Sequence, residues 1–247
     1  EVPATNDEIS RLTISFNKML ARLDEAFTAQ KQFSANAAHE LRTPLAVIQT
    51  NLEVFARRET PALKDYQEIF SMLQEQTGRL SHLAEILLDM TGVQTVERSE
   101  RISLAALTDE VFCDLASVAE QKDVELIQQE GDCIITGSYL LLYRAVYNLV
   151  ENAIKYNHSG GKVTVNIHIS EEITDASTSV NYVFLEVSDT GIGIPPEYQE
   201  KIFPPFFRVD KSRSRAMGGA GLGLALVSEI VRQHNGQVKV LESSKKL

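Results

Sequence analysis

Two cysteines, Cys113 and Cys133, are all that 247 residues contain, and they show no CxxC spacing. That excludes a disulfide framework or a cysteine zinc site and suits two buried small hydrophobes in a reducing compartment. No apolar run approaches the roughly 20 residues that span a bilayer. There is no signal-peptide pattern and no initiator Met. The chain therefore reads as a soluble piece of something longer, with any membrane segment upstream of Glu1. Basic charge is also scarce: 24 Lys and Arg stand against 34 Asp and Glu, for a net charge of −10. With a pI near 5.1, no nucleic-acid partner is expected. GxxxxGK[ST], DFG and HRD are all missing, which disfavours P-loop NTPases and Ser/Thr/Tyr kinases. His39-Glu40 begins an HExxH, but residue 43 is Thr, so the second ligand of a zinc peptidase is absent.

What is present is ordinary globular material, 43% hydrophobic and 23% charged, enough for one large domain or two small ones. Ile9, Leu12, Phe16, Met19, Leu23 and Ala26 recur in steps of three and four, a heptad seam. It resumes at Leu41, Leu45, Ile48, Leu52 and Phe55. Thr60 then offers an N-cap and Pro61 a first helical residue. A second stripe follows at Tyr66, Phe70, Leu73, Leu80, Leu83, Leu87 and Met90, interrupted by Gln76 and Thr77. The pattern predicts a helical hairpin over residues 7–58 and 61–92. Apolar stripes on both arms are best covered by a second copy, as a four-helix bundle.

Thr91–Glu100 is polar and reads as a linker. Beyond it the spacing predicts a helix over Leu104–Gln121, strands at Val124–Ile127 and Ile134–Thr136, and a Ser138-capped helix to about Tyr156. Alternation predicts strands at Lys162–Ser170 and Asn181–Ser188, with a hairpin loop at Glu171–Ser179. A helix over Leu222–His234 and a last strand at Val238–Leu241 complete the pattern. The expected architecture is α + α/β: a long helical hairpin in a dimeric bundle, then an α/β sandwich with helices on one face of a mixed sheet.

Three segments carry chemistry. Asn148, Asn152 and Lys155 share one helix face; carboxamide oxygens suit a hard cation and lysine suits phosphate. Asp189 ends a strand beside Gly191 and Gly193, where backbone can approach a ligand and the carboxylate can accept from an exocyclic amine. Gly218-Gly219-Ala220-Gly221-Leu222-Gly223 opens a helix and exposes N–H groups to an anion. Between the last two, Phe203-Pro-Pro-Phe206-Phe207-Arg208 precedes a basic run at Lys211, Arg213 and Arg215, the make-up of a lid over a charged ligand.

In this order, after His39-Glu40, these segments closely resemble the cytoplasmic catalytic part of bacterial two-component sensor histidine kinases, over nearly the whole chain. Phe33–Val47 resembles the H box, Asn148–Tyr156 the N box, Asp189–Pro195 the G1 box, Phe203–Arg208 the F box and Gly219–Leu224 the G2 box. Asp7-Glu8-Ile9 through Met19 resembles the last helix of a HAMP relay. The resemblance implies a HAMP-like helix over 1–30, a dimerisation and histidine-phosphotransfer hairpin over 31–96, and an ATP-binding domain over 97–247. It implies that His39 accepts phosphate from ATP, that Glu40 orients the ring and takes its proton, and that Thr43 serves dephosphorylation of a response regulator. Asn152, with Asn148, would hold Mg²⁺. Lys155 and Arg208 would contact phosphates, and Asp189 the adenine amine, with Tyr156, Gly191, Gly193 and Leu222 beside the nucleotide. Gly219, Gly221 and Gly223 would hinge the lid. The implied partners are a second copy and a receiver domain, and the implied setting is the cytoplasmic portion of a membrane protein. A gyrase- or Hsp90-type ATPase, the nearest rival, would need a water-activating glutamate where Asn148 stands; a non-transferring scaffold is the other. The family adds a Gly-rich turn and one more strand after the point where this chain reaches Leu247, which would leave a sheet edge unpaired. The other histidines, at 82, 158, 168 and 234, are expected to be structural or surface residues.

The opening motif has its own geometry. Glu40 falls where the seam expects an apolar residue, which arrives at Leu41 instead. At about 100° per residue His39 then points away from the core, with Thr43 on the same face. Pro44 supplies no N–H to the carbonyl of residue 40 and should bend or loosen the helix there.

Overall fold

The computed structural model describes residues 8–93, 96–175, 178–209 and 220–241. The chain divides into two compact units, Glu1–His82 and Leu83–Leu247. The boundary falls inside a helix, upstream of the expected linker.

The first unit contains α1 (Glu8–Ala56) and most of α2 (Leu63–Gly92). α1 runs through Pro44 without interruption. The expected break is a single missing N–H rather than an end to the helix, because the turns on either side keep their own bonds. The turn between the helices also differs from expectation. α2 begins at Leu63, not at Pro61 behind a Thr60 cap. Ala62 is the cap, and Asp65, three residues on, accepts its N–H at 2.8 Å while pairing with Arg58. A carboxylate reaching back to the cap backbone is half of a capping box, and these two bonds hold the Asp65 carboxyl below its ordinary range. Phe55 meets Tyr66 edge-on at 5.0 Å across the turn. No helix among the described residues is long and apolar enough to cross a membrane.

The second unit adds β1 (Glu100–Ser103), α3 (Leu104–Gln121), β2 (Val124–Gln128), β3 (Ile134–Gly137), α4 (Tyr139–Lys155), β4 (Gly161–Asp175), β5 (Thr178–Asp189), a 3-10 turn at Pro196–Tyr198 and α5 (Gly223–Gln233). β1 pairs antiparallel with β3. β2 runs parallel to β4, and β4 antiparallel to β5, so the larger sheet is mixed, in the order β2-β4-β5. Leu107, Val111 and Leu115 of α3, Val150 and Ile154 of α4, and Val163 and Val165 of β4 are buried in one core. The helices therefore cover one face of the sheet. α5 packs on α4.

Four expectations are corrected. The Glu171–Ser179 loop is strand through Asp175 and again from Thr178, because β4 and β5 stay in register, with one bulge between Ile173 and Asp175. Val238–Leu241 alternates like a strand but joins no ladder among the described residues; alternation without a partner's N–H and C=O groups makes no sheet. β1 was not foreseen, since four residues carry no readable period. Cys113 is exposed, and only Cys133 is buried; Cys113 lies off the α3 face that carries Leu107, Val111, Leu115 and Ala119.

Candidate active site

His39 sits exposed on α1, as the displaced seam requires, and Thr43 is exposed one turn on. The Thr43 hydroxyl donates to the His39 carbonyl at 3.1 Å. Glu40 is half-buried, turned toward the apolar side that its neighbour avoids.

In the second unit α4 begins behind Ser138, whose Oγ caps the N–H of Leu141, and presents Asn148, Asn152 and Lys155 in successive turns. Asn148 is 8% exposed. Its amide donates to the Arg144 carbonyl at 2.8 Å, which fixes the carboxamide so that Oδ1 faces α5. There a Cβ built on Gly223 would lie 2.5 Å from Asn148 Oδ1 and 3.7 Å from the Asn152 amide. Glycine keeps open the space into which both carboxamides point. One carboxamide oxygen, Asn148 Oδ1, and the Asn152 carboxamide one turn on, beside a side-chain-free helix start, form a set that fits Mg²⁺ together with phosphate. α5 has no side-chain cap of its own, so its first N–H groups lack that partner.

The end of β5 is pinned to the end of α4. Ile192 N–H donates to the Tyr156 carbonyl at 3.2 Å, and Gly191 N–H donates to Asp189 Oδ1 at 2.8 Å. The second oxygen of Asp189 accepts nothing among the described residues, and the side chain is exposed. Gly191 is buried against this junction: a Cβ there would lie 2.8 Å from Asp189 Oδ1 and overlap the Tyr156 carbonyl. Gly193 (φ 69°) and Gly221 (φ 72°) adopt the left-handed backbone that glycine allows. Phe206 (φ 65°) does so without being glycine; its N–H donates to the Gly221 carbonyl at 2.8 Å, joining the aromatic segment to the start of α5. Arg208 is half-buried and Leu222 fully buried. Gly219 and the basic run at Lys211, Arg213 and Arg215 lie outside the described residues.

Residues 29–95 match the family model of the His Kinase A (phospho-acceptor) domain, and residues 137–246 that of the histidine kinase-, DNA gyrase B- and HSP90-like ATPase. The chain belongs to the sensor histidine kinase family. The sensor histidine kinase CusS of Escherichia coli O6:H1 is 32% identical over 236 residues, covering 94% of this chain and 47% of the relative. The sensor histidine kinase RppB of Synechocystis is 35% identical over 222 residues, covering 87% and 47%. The chain thus spans about half the length of the curated relatives it matches. Among solved structures, the histidine kinase ThkA, crystallised with the response regulator protein TrrA, shares the fold, with a TM-score of 0.64 at 22% identity over 93% of this chain and 62% of that one.

One cluster beside this candidate site was missed by sequence reasoning. Asn157 is 8% exposed. Its amide donates to the Lys162 carbonyl at 3.0 Å, and its Oδ1 accepts the His158 N–H and the Thr190 hydroxyl, each at 3.0 Å. Thr190 Oγ1 in turn accepts the Lys162 N–H at 2.9 Å. The cluster ties the residue after Tyr156 to the residue after Asp189. A polar Asn-Thr pair 33 residues apart leaves no periodic trace; only the buried strand end it serves hints at it.

Proposed function

We propose that this chain is an ATP-dependent protein histidine kinase that phosphorylates itself on His39 and passes the phosphoryl group to an aspartate of a response regulator. The observation that carries the reading is the meeting of Asn148, Asn152 and Gly223 on one side and Asp189, Gly191 and Tyr156 on the other, in a chain that displays an exposed His39. In this reading residues 1–30 relay a signal as a HAMP-like helix, 31–96 form the dimerisation and phosphotransfer hairpin, and 97–247 bind ATP. The protein works as a homodimer in the cytoplasmic part of a membrane-anchored sensor.

Asp189 accepts the adenine amine through its second carboxylate oxygen. The N–H groups at the start of α5, with Lys155 and Arg208, hold the phosphates. Asn148 and Asn152 would hold Mg²⁺, which when bound offsets phosphate charge. A neutral imidazole nitrogen of His39 attacks the γ-phosphorus. The bond to the β–γ bridging oxygen breaks, and ADP leaves with that electron pair. The ring proton passes to Glu40, whose carboxylate also favours the cation that develops on the ring. Thr43, on the His39 face, orients water when phosphate is removed from the regulator.

Incubation with γ-labelled ATP and Mg²⁺ tests this. The wild-type chain acquires acid-labile label, and His39→Gln acquires none; a wild type without label sinks the reading.

A further inference from the structure

α4 and α5 carry opposite sides of the nucleotide site, and they are joined at both ends. At the site itself Gly223 lies against Asn148. At the far end α5 stops at His234. The left-handed Asn235 (φ 57°) follows, and Gly236 N–H donates back to the Val231 carbonyl at 2.9 Å, so the helix end is sharply defined. The half-buried His234 ring bridges two backbone groups. Nδ1 is 2.8 Å from the Ile230 carbonyl, and Nε2 is 3.1 Å from the N–H of Ser138. A carbonyl only accepts, so Nδ1 carries the proton; an amide only donates, so Nε2 is bare. The ring is neutral, in the Nδ1–H form. Ser138 is 1% exposed and is the cap of α4, so its N–H has no water to turn to. Gly137 supplies a second, independent observation. A Cβ there would lie 2.7 Å from His234 Cδ2 and 2.8 Å from Nε2. Its φ is not among the positive values that require glycine; the small residue makes room for the imidazole.

We propose that His234 is a positioning residue for nucleotide binding: its neutral ring locks the end of α5 to the start of α4, and so sets the register in which Asn148 and Asn152 face Gly221–Gly223. The inference rests on the reading of those residues as the nucleotide site.

Two near-isosteric variants of the full 247-residue chain separate the two bonds. His234→Gln places a carboxamide oxygen where Nε2 stands and keeps an acceptor for Ser138. His234→Asn places an amide nitrogen where Nδ1 stands, keeps the bond to Ile230 and leaves Ser138 unpaired. In autophosphorylation at varied ATP, the Asn variant is expected to raise KM about tenfold with kcat within about twofold, and the Gln variant to stay within about twofold on both. Equal KM values for the two variants, or a fall in kcat alone, overturn the proposal. So does a ¹⁵N spectrum of the wild type that shows His234 protonated on Nε2 at neutral pH. If the wild type binds ATP·Mg²⁺ without labelling His39, the kinase reading fails, and the same comparison made on the nucleotide Kd still decides the role of His234. If it binds no nucleotide, both readings fall.

Discussion

Asn157 is the residue whose loss should cost most for its size. It makes three bonds from an almost fully buried position, and Asn157→Ala takes the acceptor from the Thr190 hydroxyl and the His158 N–H, while the Lys162 carbonyl keeps the Thr190 N–H. Leaving such groups unsatisfied costs about 2 kcal/mol. Chemical denaturation should show a loss of that order, and nucleotide titration a weaker Kd, because the Asp189–Gly191 turn loses its anchor. Thr190→Val should share part of both effects, while Thr190→Ser, which keeps the hydroxyl, should not. A second residue-scale consequence concerns Tyr139, whose hydroxyl donates to the Glu110 carboxylate and ties α4 to α3. That bond, then burial and the Glu110 charge, push its pKa from 10.0 to about 12. The folded state holds this proton more tightly than the unfolded one. The contribution to stability is therefore complete below pH 10 and is lost as pH rises toward about 12. Tyrosinate absorbance titration of wild type against Tyr139→Phe should show the missing group titrating late, and Glu110→Gln should bring it earlier.

At the scale of elements, the glycines divide sharply. In Gly191→Ala the new Cβ meets Asp189 Oδ1 at 2.8 Å and the fixed Tyr156 backbone. In Gly221→Ala it meets the Phe207 carbonyl at 2.7 Å from a left-handed φ of 72°. The Tyr156 and Phe207 carbonyls are backbone and cannot swing aside, so both substitutions should weaken ATP binding at least about tenfold, equivalent to about 1.4 kcal/mol, as read by titration calorimetry. Gly78→Ala, mid-helix in α2 with nothing within 4 Å, should instead raise stability by about 0.5–1 kcal/mol. These elements also show what a sequence reveals. α3 and α4 were legible to within a residue because their apolar faces repeat at the helical period and Ser138 announces a cap. The exposure of His39 was legible from a one-residue slip in a seam. Asn157, Gly137 and His234 were not, because their partners lie across the fold, and hydrogen bonds between distant residues impose no period. Val238–Leu241 misled for the converse reason: alternation records a preference for a two-faced environment, whereas a strand also needs a neighbour to pair with.

For the whole molecule, the decisive fact is how much of the predicted seam lies open on a single chain. Leu12 is 70% exposed, Phe16 53%, Met19 57% and Phe70 63%, and Leu45 and Leu52 are exposed as well. Isolated apolar residues on a surface need no explanation, but a stripe at heptad spacing along a 49-residue helix does. A second copy supplies the same stripe in return, which a two-fold arrangement satisfies at once. The chain should therefore sediment as a dimer at micromolar concentration. Phe16→Asp with Phe70→Asp places four charges in the interface of each dimer. At about 2 kcal/mol for each of the four buried apolar side chains removed, the dimer Kd should rise by roughly six orders of magnitude, leaving monomer. The variant tests the bundle separately from the nucleotide site, because neither residue is near Asn148 in sequence or lies in its unit. ATP titration should show wild-type affinity while sedimentation shows half the mass. A variant that remains dimeric would mean that the open stripe is covered by something other than a second copy.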